Sequence, residues 1–440
     1  MNNLTQVSDK MRAVLINAAK KAESKTGFVE RDSKVDGPAF AQIMVFGFMS
    51  NPRCTLSEFA QHAGALGIDL SKQAVGQRMT SAAQQFLHAL LGAVTQHVFV
   101  GEGDTQSLLN RFTCVDILDS TTMQLPSSLR EIWQGNGGKD SGSALKVQFG
   151  FDLRSGNINT FDLSDGRASD GGSKAQYLLP AKGGLRLADQ GYFNLDVFDA
   201  IDKSGAYWLS RLKTKSKIYV DGKEISDLVG WLETQPAQFS RWVQVGASKR
   251  LKARLIAVKT PPQVADERRH KLKRDYKERG YTLPAETAKL CGWTLIICNI
   301  PEDMLTAQEA LVLLRLRWQI ECLFNWWKTD CQLDSWRSAK PNAILCEIYA
   351  KLIGIIFMHW IVVATAWHYP DRSLRQIARA ISKFAMSMLI ALHNPSMLMA
   401  VFDNIARVVR NTTRLHKRKH SPNHAQLSAN PTLCWPDTFA

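Results

Sequence analysis

Three acidic residues far apart in the chain, Asp119, Asp189 and Glu321, could do chemistry together. Asp119 follows the apolar, β-branched run 112–118 and Asp189 follows the short run 185–188, so each carboxylate is expected where a strand ends. Singly, such an aspartate is more often a turn former than a ligand. Brought together, three carboxylates repel one another, and protonation or a divalent cation relieves the repulsion. Oxygen-only ligation suits Mg2+, with Mn2+ as a substitute. Two such ions about 4 Å apart can activate water or a 3′-hydroxyl and stabilise the leaving oxygen of an in-line phosphoryl displacement.

Glu321 falls in the stretch 306–330, which reads as one long helix. At 3.6 residues per turn, Arg317, Glu321 and Lys328 lie within about 40° of one another, so one face carries an Arg, Glu, Lys row. Trp318, Ile320 and Phe324 make the helix too apolar to face water all round. On an isolated helix, Arg317 and Glu321 read first as an exposed i,i+4 ion pair. With two aspartates at neighbouring strand ends, the same row becomes the wall of an acidic pocket.

The elements that must position these residues can be read in outline. Residues 1–105 read as helices, with a capping box at Thr55 and Glu58 and a second helix start at 69–71. Val75, Met79, Ala82, Phe86 and Leu90 follow at steps of three and four. Joined by a turn at Gly64 to Gly67, two of these helices form either a plain hairpin or a helix-turn-helix offering Lys72, Gln73, Gln77 and Arg78 to a major groove. Beyond 110 come strand signals at 112–118, 144–151, 185–188 and 207–212, the second alternating as a half-buried strand does. A helix with Leu195, Phe198 and Ile201 precedes the last. The order is that of an α/β protein, a mixed sheet flanked by helices. Residues 213–292 carry strands, turn signals and a basic helical stretch at 268–279, close to Lys249, Arg250, Lys252 and Arg254. One more strand, 293–299, leads into helices to about 410, and the basic tail from Arg407 to His420 is expected to be flexible. The expected division is 1–105 as a helical DNA-binding domain, 106–212 and 293–370 as two parts of one core, 213–292 as a β-rich insertion, and 371–440 as a helical C-terminal region.

Composition narrows the function. The chain has 440 residues, 45% hydrophobic and 22% charged, which excludes a fibrous repeat or wholesale disorder. Its net charge of +15 would draw a polyanion, and nucleic acid is the commonest one. Eight cysteines at spacings that match neither a zinc ribbon nor a disulfide framework suit a reducing cytoplasm. The loop 135–139 is not a nucleotide-binding loop, because Trp133 stands where a glycine would be needed and Asp140 follows the lysine. The start of the chain has no basic-then-apolar leader pattern. The longest apolar run, 352–367, contains His359 and falls short of the roughly 20 residues of a bilayer span, so a buried helix is expected and no membrane partner.

A resemblance emerges from three motifs taken in order. The stretch 314–321, Leu-Arg-Leu-Arg-Trp-Gln-Ile-Glu, ending in Trp326-Trp327-Lys328, resembles the Y-x2-R-x3-E-x6-K signature of bacterial insertion-sequence transposases of the DDE branch called the insertion sequence 4 family. Asp119-Ser120-Thr121 is similar to that family's first-aspartate motif, and Asp189-Gln190-Gly191-Tyr192 to its second, DRGY. The similarity covers roughly 110–335. It implies an RNase H-like core interrupted by the β-rich insertion, with Asp119, Asp189 and Glu321 as catalytic ligands of two Mg2+ ions, for which Mn2+ may substitute. It further implies that Arg317, Lys328, Arg211 and Lys213 hold DNA phosphates, and that Trp293 stacks on a base flipped from the transposon end; the alternative for Trp293 is an ordinary buried strand tryptophan. The implied partner is double-stranded DNA, both the terminal inverted repeats of the element and its target, bound by a homodimer at the bacterial nucleoid.

Three positions depart from the pattern. Leu314 stands for the signature Tyr, Gln190 for the Arg of DRGY, and Asn325 where relatives often have Lys. These changes bear on DNA grip more than on metal binding. They keep open a second reading, a catalytically inactive or domesticated relative that regulates on DNA, and a third, a metal nuclease that cuts without joining. Both leading readings predict DNA affinity that falls with salt; only the enzyme predicts Mg2+-dependent product.

Overall fold

The computed structural model describes residues 3–29, 34–97, 108–136, 142–367, 369 and 372–414. β-Branched and aromatic residues form β1 (Val115–Leu125), β2 (Ser143–Asp152) and β3 (Ile158–Asp165), an antiparallel meander. On the other side of β1 run β4 (Leu185–Ala188) and β5 (Tyr207–Arg211), both parallel to it. The order β3-β2-β1-β4-β5 is that of an RNase H-like core, as the resemblance implies. The sheet then continues through β10 (Trp293–Cys298) into strands of the intervening segment: β9 (Leu251–Lys259), β8 (Gln238–Val245), β6 (Ile218–Val220) and β7 (Lys223–Glu224). All ten strands make one mixed sheet.

Before the sheet come helices α1 (Asn3–Arg12), α2 (Ala19–Thr26), α3 (Gly37–Ser50), α4 (Leu56–Ala65), α5 (Lys72–Arg78) and α6 (Ser81–Thr95), with a π-helical stretch Ala13–Ala18 joining the first two. The capping box at Thr55 is formed, its hydroxyl accepting from Glu58 N and the Glu58 carboxylate accepting from Thr55 N. On α5, Lys72, Gln73 and Gln77 face solvent, as a groove-reading helix would require. Arg78 instead turns inward and donates to the Val35 carbonyl at 3.3 Å, which takes it out of that set.

Two expectations need correcting in the core. β1 does not end at residue 118 but runs on to Leu125, because β2 stays paired to it that far after the parallel partner β4 has ended at Ala188. β2 is buried on both faces rather than half-buried, so Lys146 and Gln148 are interior polar residues.

Helices α7 (Leu195–Lys203), α8 (Leu228–Glu233), α9 (Pro262–Glu278) and α10 (Ala285–Leu290) accompany strands β5 to β10. There Phe198 of α7 stacks on Trp208 of β5 with ring centroids 4.3 Å apart. Of the basic residues near 250, Arg254 is a buried structural cation, donating to Ser240 Oγ and to the Leu305 carbonyl, and Lys249 is tied to Asp196 and Asp199. Those two belong to the fold and not to an open basic surface.

The stretch expected as one helix over 306–330 is two, α11 (Ala307–Leu316) and α12 (Gln319–Thr329). At the break the hydrogen bonds tighten to the i→i+3 kind, Trp318 N to Arg315 O and Ile320 N to Arg317 O. Beyond it lie α13 (Pro341–Ala366), α14 (Leu374–Lys383), α15 (Ala385–Ala391) and α16 (Pro395–Thr412). α13 is long and apolar enough to cross a membrane, yet 89% of its most apolar window is buried inside the protein. One core joins it to α1, α3 and α6 on one side and to the β1–β3 meander on the other. His359 Nε2 contacts the Gly156 carbonyl at 2.7 Å and Trp367 Nε1 donates to the Leu153 carbonyl at 2.9 Å, fixing this helix to the turn between β2 and β3. Arg407 and Arg410, expected in a flexible tail, are helical residues of α16. The remainder of that tail, from 415 onward, and residues 137–141 of the Gly-rich loop lie outside the described residues.

Candidate active site

Strand register brings the two aspartates together. β1 and β4 run parallel with Leu118 opposite Ala188, so Asp119 and Asp189 are the next residue on each. Asp119 stays in the strand while Asp189 begins a short turn, Gln190–Tyr192. The third carboxylate, Glu321, stands in the first turn of α12, which packs on β1.

Arg317, at the break between α11 and α12, reaches all three. Its Nη2 lies 2.8 Å from Glu321 Oε1 and 3.5 Å from Asp189 Oδ1, and its Nη1 lies 3.4 Å from Asp119 Oδ2. Only the first is a short charge-assisted hydrogen bond; the others are long ion pairs. The Asp119 side chain is 19% exposed, against 40% for Asp189 and 44% for Glu321, so the pocket opens toward the latter two. Burial pushes the Asp119 carboxyl up to about 6; the Ser120 amide and Arg317 pull it down, and Asp189 and Glu321 add to the rise. Burial by itself would lower the Arg317 guanidinium, but the charges of Asp189, Asp119 and Glu321 outweigh it and raise the group above its ordinary value.

Behind Asp119 lies a polar network that the sequence did not single out. Asp170 Oδ1 accepts from Ser120 Oγ at 2.8 Å, Lys146 Nζ at 3.2 Å and Gln148 Nε2 at 3.2 Å. Tyr192, the last residue of the second-aspartate motif, donates to Gln148 Oε1 at 2.5 Å. The motif at 189–192 is thereby tied to β2, and through Asp170 to the residue after Asp119. The only signal in the sequence was two polar residues, Lys146 and Gln148, inside an otherwise apolar strand.

The basic residues fall into two groups. Lys328, two turns after Glu321, donates to the Thr122 carbonyl of β1 at 3.1 Å, so here it braces α12 against the strand. Arg211 ends β5 and lines a cavity of about 560 Å³ together with Gln190, Arg268, Lys271 and Trp293. A neighbouring cavity of about 310 Å³ is lined by Asp189, Gln190, Arg211, Arg268, Arg315 and Arg317, so the two cavities form one basic approach to the carboxylates. Trp293 is half-buried, part of a cavity wall rather than a wholly buried strand residue. Lys213 is exposed beyond β5 and lines neither cavity. Arg268 is the functional candidate hidden in the basic stretch: it projects from α9 between the cavities, donates to Thr260 and Thr294 hydroxyls at 3.1 Å each, and is lowered to about 10 by burial and by nearby Arg211.

Among the departures from the signature, Gln190 donates to the Leu212 carbonyl at 3.2 Å, Leu314 lines the smaller cavity, and Asn325 is exposed. Carboxylate oxygens without histidine or thiol are a donor set for a hard divalent cation. Among the described residues, however, no three such groups stand together as a ready-made metal cage. The guanidinium of Arg317 lies where the carboxylates converge. The site holds positive charge between its acids and has a basic approach walled in part by Trp293.

A parallel-strand aspartate pair facing a helix glutamate on an RNase H-like core places the chain among nucleic-acid-processing enzymes, and comparison with known families specifies which. The profile described as the transposase DDE domain matches residues 110–357, more than half of the chain, which belongs to that family. The chain is similar to the transposase for insertion sequence element IS231B of Bacillus thuringiensis subsp. berliner, 25% identical over 415 residues that cover 89% of this chain and 86% of the relative. It is also similar to the transposase for IS231F of B. thuringiensis subsp. israelensis (27% over 354 residues, 74% and 73% of the two chains) and to that for IS1151 of Clostridium perfringens (25% over 381 residues, 79% and 78%).

Proposed function

We propose that this protein is the transposase of an insertion sequence, of the kind called the insertion sequence 4 family, binding the terminal inverted repeats of its element and cutting and rejoining DNA strands. The observation that carries the reading is the meeting of Asp119, Asp189 and Glu321 on one guanidinium, at the end of a basic channel. In this reading the three carboxylates hold divalent cations, Mg2+ with Mn2+ as a substitute. When bound, such ions supply Lewis-acid activation of the attacking oxygen and stabilisation of the leaving one.

The residues of the chain do the rest. Arg211 and Arg268 attract the phosphodiester backbone along the channel, and Arg317 and Lys328 hold the phosphates nearest the acids. Trp293 offers its exposed face to an unstacked base at the element's end, which compensates part of the lost stacking. The Ser120–Asp170 bond keeps the β1 backbone in register behind Asp119, so that its carboxylate is presented at a fixed place. Lys213 contributes to the charge of the approach. Joining two ends calls for two copies of the protein, one at each.

The test is strand cleavage on a duplex carrying the element's end. Asp119→Ala is expected to remove Mg2+-dependent nicking while leaving end binding within about threefold of wild type, because the DNA grip lies in other residues. Nicking at the wild-type rate by the variant would overturn the assignment. A wild-type protein that binds ends and yields no product with Mg2+ or Mn2+ would make the chain a regulator on DNA instead.

A further inference from the structure

Resting on the active-site reading above, we infer that Arg317 is the resident cation of the DNA-free site and that DNA, by drawing this guanidinium away, licenses the carboxylates to take up metal. Arg317 is in the way: it makes a 2.8 Å bond to Glu321 and long contacts of 3.4 and 3.5 Å to Asp119 and Asp189. A guanidinium and a divalent ion compete for the same oxygens, so loading the site requires Arg317 to give up at least part of this arrangement.

The structure also supplies the means to leave. Arg317 lies at the break between α11 and α12, not inside a continuous helix, and its two weak contacts cost little to lose. It already lines the cavity of about 310 Å³ beside the acids. In that cavity Arg211, Arg268 and Arg315 repel it, which discourages departure while the cavity holds no anion. A DNA phosphate placed there reverses the balance, offsetting part of the charge of the three arginines and offering Arg317 a bidentate partner. Metal uptake and DNA binding are then positively linked, and the linkage passes through one side chain. The benefit is a transposase that does not assemble a cutting site away from DNA.

The experiment is Mn2+ binding followed by electron paramagnetic resonance, with and without a pre-cleaved duplex of the element's end that has a free 3′-hydroxyl and no target to join. Wild type is expected to bind Mn2+ weakly alone and roughly tenfold or more tightly with the duplex, within the usual range of coupling between sites. Arg317→Gln is expected to bind Mn2+ roughly tenfold more tightly than wild type without DNA and to respond to the duplex less than about twofold. Its melting temperature in EDTA should fall, and added Mn2+ should restore it more than it raises that of wild type. Arg317→Lys, which keeps the charge but reaches fewer oxygens, should fall between and serves if the glutamine variant does not fold. Unchanged or weaker Mn2+ binding by both variants without DNA, or a wild type that binds Mn2+ equally with and without duplex, overturns the inference. Asp119→Asn separates the two levels: if it leaves Mn2+ binding unaltered, the carboxylate site itself is misassigned, whereas if it abolishes binding while the Arg317 variants behave as wild type, only the gate is wrong.

Discussion

Arg268 is one of seven Lys and Arg residues between 268 and 279, and composition alone does not mark it out from a solvated helix face. Its spacing does: with Val264, Ala265 and Leu272 it falls on the inward side of α9, a charge among apolar neighbours. Asp119, Asp189 and Glu321, in contrast, are legible because each sits in an ordered motif, although Asp119 lies within its strand and only Asp189 follows one. Arg317 is legible as a residue but its place among all three carboxylates is not, since it lies at a break between α11 and α12 where the sequence reads as one helix. If Arg268 grips a phosphate, Arg268→Met should reduce the log–log salt slope of end binding by about 0.9, read by fluorescence anisotropy over a salt series. An unchanged slope would confine Arg268 to bracing Thr260 and Thr294.

At the scale of elements, strand cores were readable and their lengths were not. Leu185–Ala188 and Tyr207–Arg211 lie within the runs 185–188 and 207–212 expected as strands, because short central strands carry their signal locally. The length of β1 depends on pairing with β2, about thirty residues away in the chain, and the alternation in β2 misled because a buried polar network covers its second face. That network makes a prediction about the sheet. Tyr192→Phe leaves Gln148 Oε1 buried without its donor, so unfolding free energy should drop by about 1–3 kcal/mol in urea titration. The same variant should slow strand cleavage more than it weakens DNA binding, since the network stands behind Asp119 and away from the basic cavities.

For the whole molecule, α13 is the member on which most else rests. Lys351 on this helix pairs with Glu347 at 2.9 Å and donates to the carbonyls of Gln332 and Ser335 at 3.0 and 2.7 Å, pinning the segment after α12. Lys351→Met should cost about 3–5 kcal/mol, because it leaves Glu347 buried without its cation; chemical denaturation measures it. His359 gives α13 a pH signature. It is wholly buried against the Gly156 carbonyl and the rings of Phe149, Phe151 and Trp367, with no charged group facing it among the described residues, and burial pushes the imidazole down to about 4. The neutral ring is favoured in the folded state, so its contribution is full above the ordinary histidine value near 6.5 and is lost as pH falls toward 4. His359→Gln, which keeps a donor for Gly156, should flatten that acid limb by up to about 3 kcal/mol in melts run across this window.

The sharing of α13 between the N-terminal helices and the meander that carries Asp119 has a practical corollary. Neither half can be excised without baring a rod of apolar side chains some 26 residues long. A fragment beginning near residue 108 should therefore clump when expressed alone and yield to rescue only by co-expression of the missing helices. The same shared core puts the N-terminal helices and the strand that carries Asp119 on one helix, so the two parts of the chain should unfold in a single transition in urea titration.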